Sequence, residues 1–150
     1  MDQRPQVPEL KPERQPIGVL CVDDNQHVAE ALDITLTRSG RFKWKGWLPT
    51  ADEVVTVAVR DAPGIVLLDI DMPGRDPFEA SADLLDKCPE SRVVFFTGHV
   101  RKDLIDRAVE SGAWGYASKN DGDQALIEVL ERVGAGEFAF SPSVRGTYAD

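Results

Sequence analysis

Ile65-Val66-Leu67-Leu68 is the run that most limits what this chain can become. It follows the turn-forming Ala62-Pro63-Gly64 and is stopped by an acid, Asp69. A run this short cannot cover the face of a helix. With no polar alternation, it cannot leave one side in water either, so it reads as a strand buried on both faces. Such burial needs helices above and below the sheet. Strand–helix–strand crossovers supply them, and they make the strands parallel.

The rest of the chain supplies matching parts. Ile17-Gly18-Val19-Leu20-Cys21-Val22 is a second short apolar run, closed by Asp23 and Asp24. Val28, Ala31, Leu32, Thr35 and Leu36 then recur at helical spacing, with Gly40 as a stop. Phe42, Trp44 and Gly46 alternate with Lys43 and Lys45, as in a strand near a sheet edge. Thr50 or Asp52 is placed to cap a helix through Val54, Val55 and Ala58 to about Arg60. After a loop at Met72-Pro73-Gly74, a helix is expected over 78–87, stopping before Pro89. Val93-Val94-Phe95-Phe96 lies in a buried strand over 92–97. A helix over 103–111 ends at Gly112, a short fifth strand covers 115–118, and a last helix over 123–133 ends at Gly134. The prediction is an α/β fold, a flavodoxin-like (βα)5 three-layer sandwich on a parallel five-stranded sheet of order 2-1-3-4-5. Residues 1–16 carry four prolines among charges and read as a disordered arm. The domain is expected over 17–135. Residues 136–150 read as a C-terminal tail or the start of a linker, with at most a docked turn around Pro142.

Charge narrows the function. With 17 basic and 26 acidic residues the net charge is −9, which argues against direct nucleic-acid binding by this region. No apolar run approaches the length of a membrane span, and the first 16 residues have no signal-like apolar stretch. Cys21 and Cys88 match no metal spacing and read as small buried apolar residues, which fits a cytoplasmic setting.

In a sheet of this kind the working site lies beyond the carboxyl ends of the strands. Asp23 and Asp24 follow the first strand, Asp69 the third, Thr97 ends the fourth and Lys119 follows the fifth. Singly, each has a plain reading as a turn, cap or surface residue. Together, in adjacent strands, they converge. Carboxylates crowded in one pocket repel, and a hard divalent cation with oxygen ligands relieves that repulsion; Mg2+ suits them. A cation on one side and the Lys119 ammonium on the other would let Asp69 meet a negative phosphoryl group, with Thr97 donating to a phosphoryl oxygen.

The stretches Val19-Leu20-Cys21-Val22-Asp23-Asp24-Asn25, Val66-Leu67-Leu68-Asp69-Ile70-Asp71-Met72-Pro73-Gly74, Phe95-Phe96-Thr97-Gly98-His99 and Gly112-Ala113-Trp114-Gly115-Tyr116-Ala117-Ser118-Lys119 resemble the receiver domains of two-component response regulators. The resemblance covers about residues 17–135. It implies that Asp69 accepts a phosphoryl group from a histidine kinase, in a signalling domain rather than an enzyme of steady turnover. It also implies that Asp23, Asp24, Asp69 and the main-chain carbonyl of Asp71 hold Mg2+. Thr97 and Tyr116 are implied as the switch pair, with Tyr116 swinging inward, and Lys119 as the phosphate-binding lysine. The segment from Gly134 to Val144 is similar to the end of NarL/FixJ-type receivers. That implies transcriptional control through a DNA-binding domain beyond this region, and a homodimer is compatible with it.

Two departures stand out. Asn120 follows Lys119 where the family usually has proline after a cis peptide, and Pro77 stands where glycine is common, which should stiffen the loop after Asp69. His27 reads as a polar residue on a first helical turn, and His99 as a candidate gate at the pocket. Three other readings remain open. Asp69-Ile70-Asp71 has the Asp-x-Asp pattern of haloacid-dehalogenase-type phosphohydrolases, although the acidic pair here comes first. The altered step at Asn120 allows a pseudo-receiver acting through protein contacts alone. A flavodoxin-like redox protein shares the topology but lacks a phosphate-cradling loop after the first strand.

Overall fold

The computed structural model describes residue 4 and residues 15–149. The arm expected over 1–16 lies outside the described residues, apart from Arg4, Gln15 and Pro16. The elements run β1 (Ile17–Val22), α1 (Gln26–Ser39), β2 (Phe42–Leu48), α2 (Val54–Asp61), β3 (Ile65–Leu68), α3 (Pro77–Lys87), β4 (Arg92–Thr97), α4 (Lys102–Glu110), β5 (Gly115–Ser118), α5 (Asp123–Gly134), β6 (Ala139–Phe140) and α6 (Pro142–Ala149). The sheet has order β2-β1-β3-β4-β5-β6, and its paired strands are parallel.

Alternation along the strands builds two cores. Leu20, Val22, Val66, Leu68, Val93 and Phe95 point to the face covered by α2, α3 and α4. Val19, Cys21, Ile65, Leu67, Val94 and Phe96 point to the face covered by α1 and α5. Burying a side chain of this size stabilises by about 1.5–3 kcal/mol, so both faces of each central strand contribute. Cys21 and Cys88 are free thiols buried within these cores. Among the described residues no helix is long and apolar enough to cross a membrane.

The structure corrects five expectations. Among the described residues the sheet has six strands rather than five. Ala139 N–H donates to the Trp114 carbonyl (3.1 Å) and Ser141 N–H to that of Tyr116 (3.1 Å), satisfying the open edge of β5. Residues 139–149 are therefore not a loose tail: α6 follows, and Val144 is fully buried in the core on the α4 side. Neither Thr50 nor Asp52 caps α2, which begins after Glu53 with no side-chain cap. Asp52 instead accepts from the Arg75 N–H (2.8 Å), because Gly74, at φ +91°, brings the loop after β3 down onto it. Pro77 stiffens no loop; it opens α3 behind Asp76, whose carboxylate accepts from the Phe78 N–H. Finally, the strict alternation expected in β2 breaks at a bulge between Trp44 and Gly46.

Candidate functional site

Parallel pairing brings the strand ends to one side of the molecule. Val22 of β1 pairs with Leu68 of β3, and Leu68 with Phe95 of β4, so Asp23, Asp69 and the end of β4 emerge side by side. Thr97 pairs with Ser118, so Lys119 leaves β5 next to them. Asp23 is 2% exposed, Asp69 5% and Thr97 fully buried, whereas Asp24 is exposed.

The carboxylates of Asp23, Asp24 and Asp69 each offer an oxygen within 4.8 Å of the others. Lys119 Nζ lies 2.7 Å from Asp23 Oδ2 and 3.3 Å from Asp69 Oδ2, sharing one positive charge between two buried acids. Asp23 Oδ1 accepts from the Asn25 N–H (2.9 Å) and Asp69 Oδ1 from the Ile70 N–H (2.8 Å). The environment shifts these groups away from solution behaviour. Burial, with the charge of Asp23 added, raises the Asp69 carboxyl above the usual aspartate range despite the opposing pull of Lys119. At Lys119, burial disfavours the ammonium, but the hydrogen bond to Asp23 and the charges of both acids outweigh it and hold the group above its ordinary value. Cys21, which precedes Asp23 in the chain with only Val22 between them, is pushed up to about 12 by burial first and the Asp23 charge second, so it stays an inert thiol.

Lys119 reaches both acids although Asn120 follows it and no peptide among the described residues is cis. Its backbone N–H donates to the Thr97 carbonyl (2.9 Å), and the Asn120 N–H to Ser118 Oγ (3.0 Å), so hydrogen bonds fix the turn. Thr97 Oγ1 accepts from the His99 N–H (3.1 Å). Tyr116 is fully buried, with its hydroxyl donating to the His99 carbonyl at 2.5 Å; the inward position expected only after switching is already occupied. Burial also raises the Tyr116 phenol, which keeps it protonated as a donor. The Asp71 carboxylate stands apart from the acidic cluster: it is 80% exposed and meets His99 Nε2 at 3.4 Å.

Hard carboxylate oxygens in this number fit a small divalent cation, and the ammonium beside them fits an anion placed against Asp69. Sequence reasoning missed two supports. Asn25 caps α1 by accepting from the His27 and Val28 N–H groups, and its own N–H orients Asp23; an Asn directly before a helix was a visible signal. Trp47 donates its indole N–H to the Asp23 carbonyl, and only the bulge in β2 makes that reachable.

The response regulator receiver domain family matches residues 19–131. The chain is 29% identical over 120 residues to the transcriptional activator protein ExaE of Pseudomonas putida, covering 80% of this chain and 56% of that protein. It is 29% identical over 128 residues to the response regulator GacA of Pseudomonas aeruginosa, covering 85% and 60%. The chain thus spans little more than half the length of these curated relatives. A two-component response regulator of the LuxR family from Aurantimonas sp. SI85-9A1 superposes with a TM-score of 0.85 at 26% identity, over 90% of this chain and 96% of that one. The signal receiver domain of the putative response regulator NarL from Mycobacterium tuberculosis shares the fold, with a TM-score of 0.77 at 21% identity over 82% and 99%.

Proposed function

The chain belongs to the response regulator receiver domain family, and from that premise we propose that Asp69 accepts a phosphoryl group from a histidine kinase. The observation that carries the proposal is Lys119 Nζ at 3.3 Å from Asp69 Oδ2, inside the cluster of Asp23, Asp24 and Asp69. Asp23, Asp24, Asp69 and the main-chain carbonyl of Asp71 would hold Mg2+. When bound, the ion supplies positive charge between the carboxylate and the phosphoryl oxygens.

In the transfer, an Asp69 oxygen forms a bond to phosphorus as the bond from phosphorus to the kinase imidazole breaks. The imidazole leaves with that electron pair, and Asp69 becomes an acyl phosphate. Lys119, no longer balanced by two carboxylates alone, turns its ammonium to the new anion. Thr97 uses its oxygen as an acceptor from His99; its hydroxyl proton is what it would offer a phosphoryl oxygen. Tyr116 already sits inside, so the expected effect of phosphorylation is to hold the Thr97–His99–Tyr116 arrangement rather than to carry the ring inward. That stabilisation would act on the surface of α4, β5 and α5 and alter partner or homodimer contacts. By extension from the relatives named as transcriptional regulators, the output would be transcription through a DNA-binding domain beyond this region.

Beryllofluoride, a phosphoryl mimic, tests this when titrated with Mg2+ and followed by amide NMR shifts. The wild type should respond around Asp69, Thr97 and Lys119 only when Mg2+ is present. An equal response in Asp69→Ala, or none in the wild type, would remove the reading.

A further inference from the structure

Trp47 reaches the acidic pair through a local irregularity. In an unbroken strand, Phe42, Trp44, Gly46 and Leu48 would share one face, and Trp47 would lie opposite with Lys43 and Lys45. In β2, Val19 pairs with Trp44 but the next residue, Leu20, pairs with Gly46, so Lys45 is the extra residue of a bulge. Gly46 takes φ +132°, a conformation that side chains rarely adopt, although a side chain there would meet open space. The bulge flips the phase. Trp47 joins Trp44 on the face of α1, and Leu48 turns to the other core.

There Trp47 Nε1 donates to the carbonyl oxygen of Asp23 at 2.6 Å. That carbonyl belongs to the planar peptide joining Asp23 to Asp24. The Asp23 N–H donates to the Leu48 carbonyl at 3.0 Å, so two consecutive residues of β2 grip Asp23 on both sides of its α-carbon. The Asp24 carboxylate is exposed, and its direction depends on the backbone that carries it.

We propose that Trp47 is a positioning residue for the acidic pair: its indole N–H fixes the Asp23–Asp24 peptide plane and thereby where the two carboxylates stand for a divalent cation. The inference rests on the reading of the Asp23, Asp24 and Asp69 cluster as a Mg2+ site. Partners that orient metal ligands from behind typically change metal affinity by about 10–100-fold, and a bond to the ligand-bearing peptide belongs with them.

The test uses the full chain and reads Mg2+ affinity by calorimetry alongside the urea midpoint. One variant carries β-(3-benzothienyl)alanine at position 47, which replaces the N–H by sulfur and keeps the bicyclic shape. A second is Trp47→Phe. Trp44→Phe removes an indole from the same strand and face without touching the acidic pair. The inference expects both changes at 47 to weaken Mg2+ binding by at least about tenfold, with the benzothienyl variant still folded and its urea midpoint lowered by no more than the loss of one hydrogen bond brings, and with Trp44→Phe binding Mg2+ as the wild type does. Wild-type affinity in the benzothienyl variant overturns it, even if Trp47→Phe is weak, because the effect then belongs to ring packing. Equal weakening by Trp44→Phe overturns it as well. A wild type that binds no Mg2+ removes the metal-site reading itself, and the inference with it; that outcome is visible in the parent chain before any variant is made.

Discussion

The sheet buries charge at both of its ends and uses it differently at each. Where β4 starts, Arg92 is 5% exposed; its guanidinium donates to the Val133 carbonyl near the end of α5 and lies 5.1 Å from the centre of the Trp114 ring. Burial lowers its pKa, yet a carbonyl at a helix C-terminus and an aromatic face suit a cation. Neither partner can gain or lose charge. At the opposite end, Asp23, Asp69 and Lys119 are held by one another, with one ammonium between two acids. Charge added to any of the three changes the balance of the others. A buried charge held by fixed dipoles is a support, whereas buried charges sharing a counter-ion form a site that can respond.

Lys119→Met should show the largest effect on that contrast. Labelling by acetyl phosphate with Mg2+ present should slow by about 100-fold, the usual scale for losing a donor aimed at developing charge; mass spectrometry of timed samples reads it. Arg92→Met should do the reverse. It removes a charge-assisted bond to the Val133 carbonyl, which keeps the Gly136 N–H (3.0 Å) as a donor, and should cost about 1–2 kcal/mol in urea unfolding while labelling stays at the wild-type rate. If Arg92→Met slowed labelling as much as Lys119→Met, the distinction between the two ends would collapse.

Ser141→Ala probes the boundary between support and site. Ser141 Oγ accepts from the buried Ser118 N–H at 2.9 Å, one residue before Lys119. Its loss should cost about 1 kcal/mol of unfolding free energy by urea titration, with a smaller effect on labelling than at Lys119. Asp69→Asn should have the smallest effect on stability. Because the folded Asp69 pKa is raised, chiefly by burial, the folded chain holds that proton more tightly than the unfolded one. Ionisation therefore costs stability as pH rises from the ordinary value of 3.8 through the raised one, and the cost is full above it. The variant should be slightly more stable than the parent at neutral pH, and the gap should close as pH falls towards 3.8. A gap that widened on acidification would mean that Lys119 dominates the Asp69 environment.

The core strands and the polar residues at their ends were legible because burial on both faces leaves no alternation, and each apolar run stops where a side chain must be polar. Asp23, Asp24, Asp69, Thr97 and Lys119 could be read that way, and the structure brings them together. β6 could not, because two residues, Ala139 and Phe140, carry no period. Asp52 was misread as a cap because its partner, the Arg75 N–H, is 23 residues away and meets it only through the turn at Gly74. The bond from Trp47 to the Asp23 carbonyl could not be read either, because the phase of Trp47 in β2 depends on a bulge that only pairing with β1 reveals. Asn120 stands where the family usually has proline, but the Lys119 N–H bond to the Thr97 carbonyl and the Asn120 N–H bond to Ser118 Oγ hold the turn without it.

The central claim is that Asp69 is the phosphoacceptor, and mapping the acyl phosphate tests it most directly. The wild-type chain is incubated with acetyl phosphate and Mg2+, reduced with borohydride to trap the aspartyl phosphate, digested and sequenced by mass spectrometry. The account predicts one modified carboxylate, at Asp69, lost when Mg2+ is chelated and absent in Asp69→Asn. Modification at Asp23, Asp24 or Asp71 in place of Asp69, or none with Mg2+ present, would contradict it.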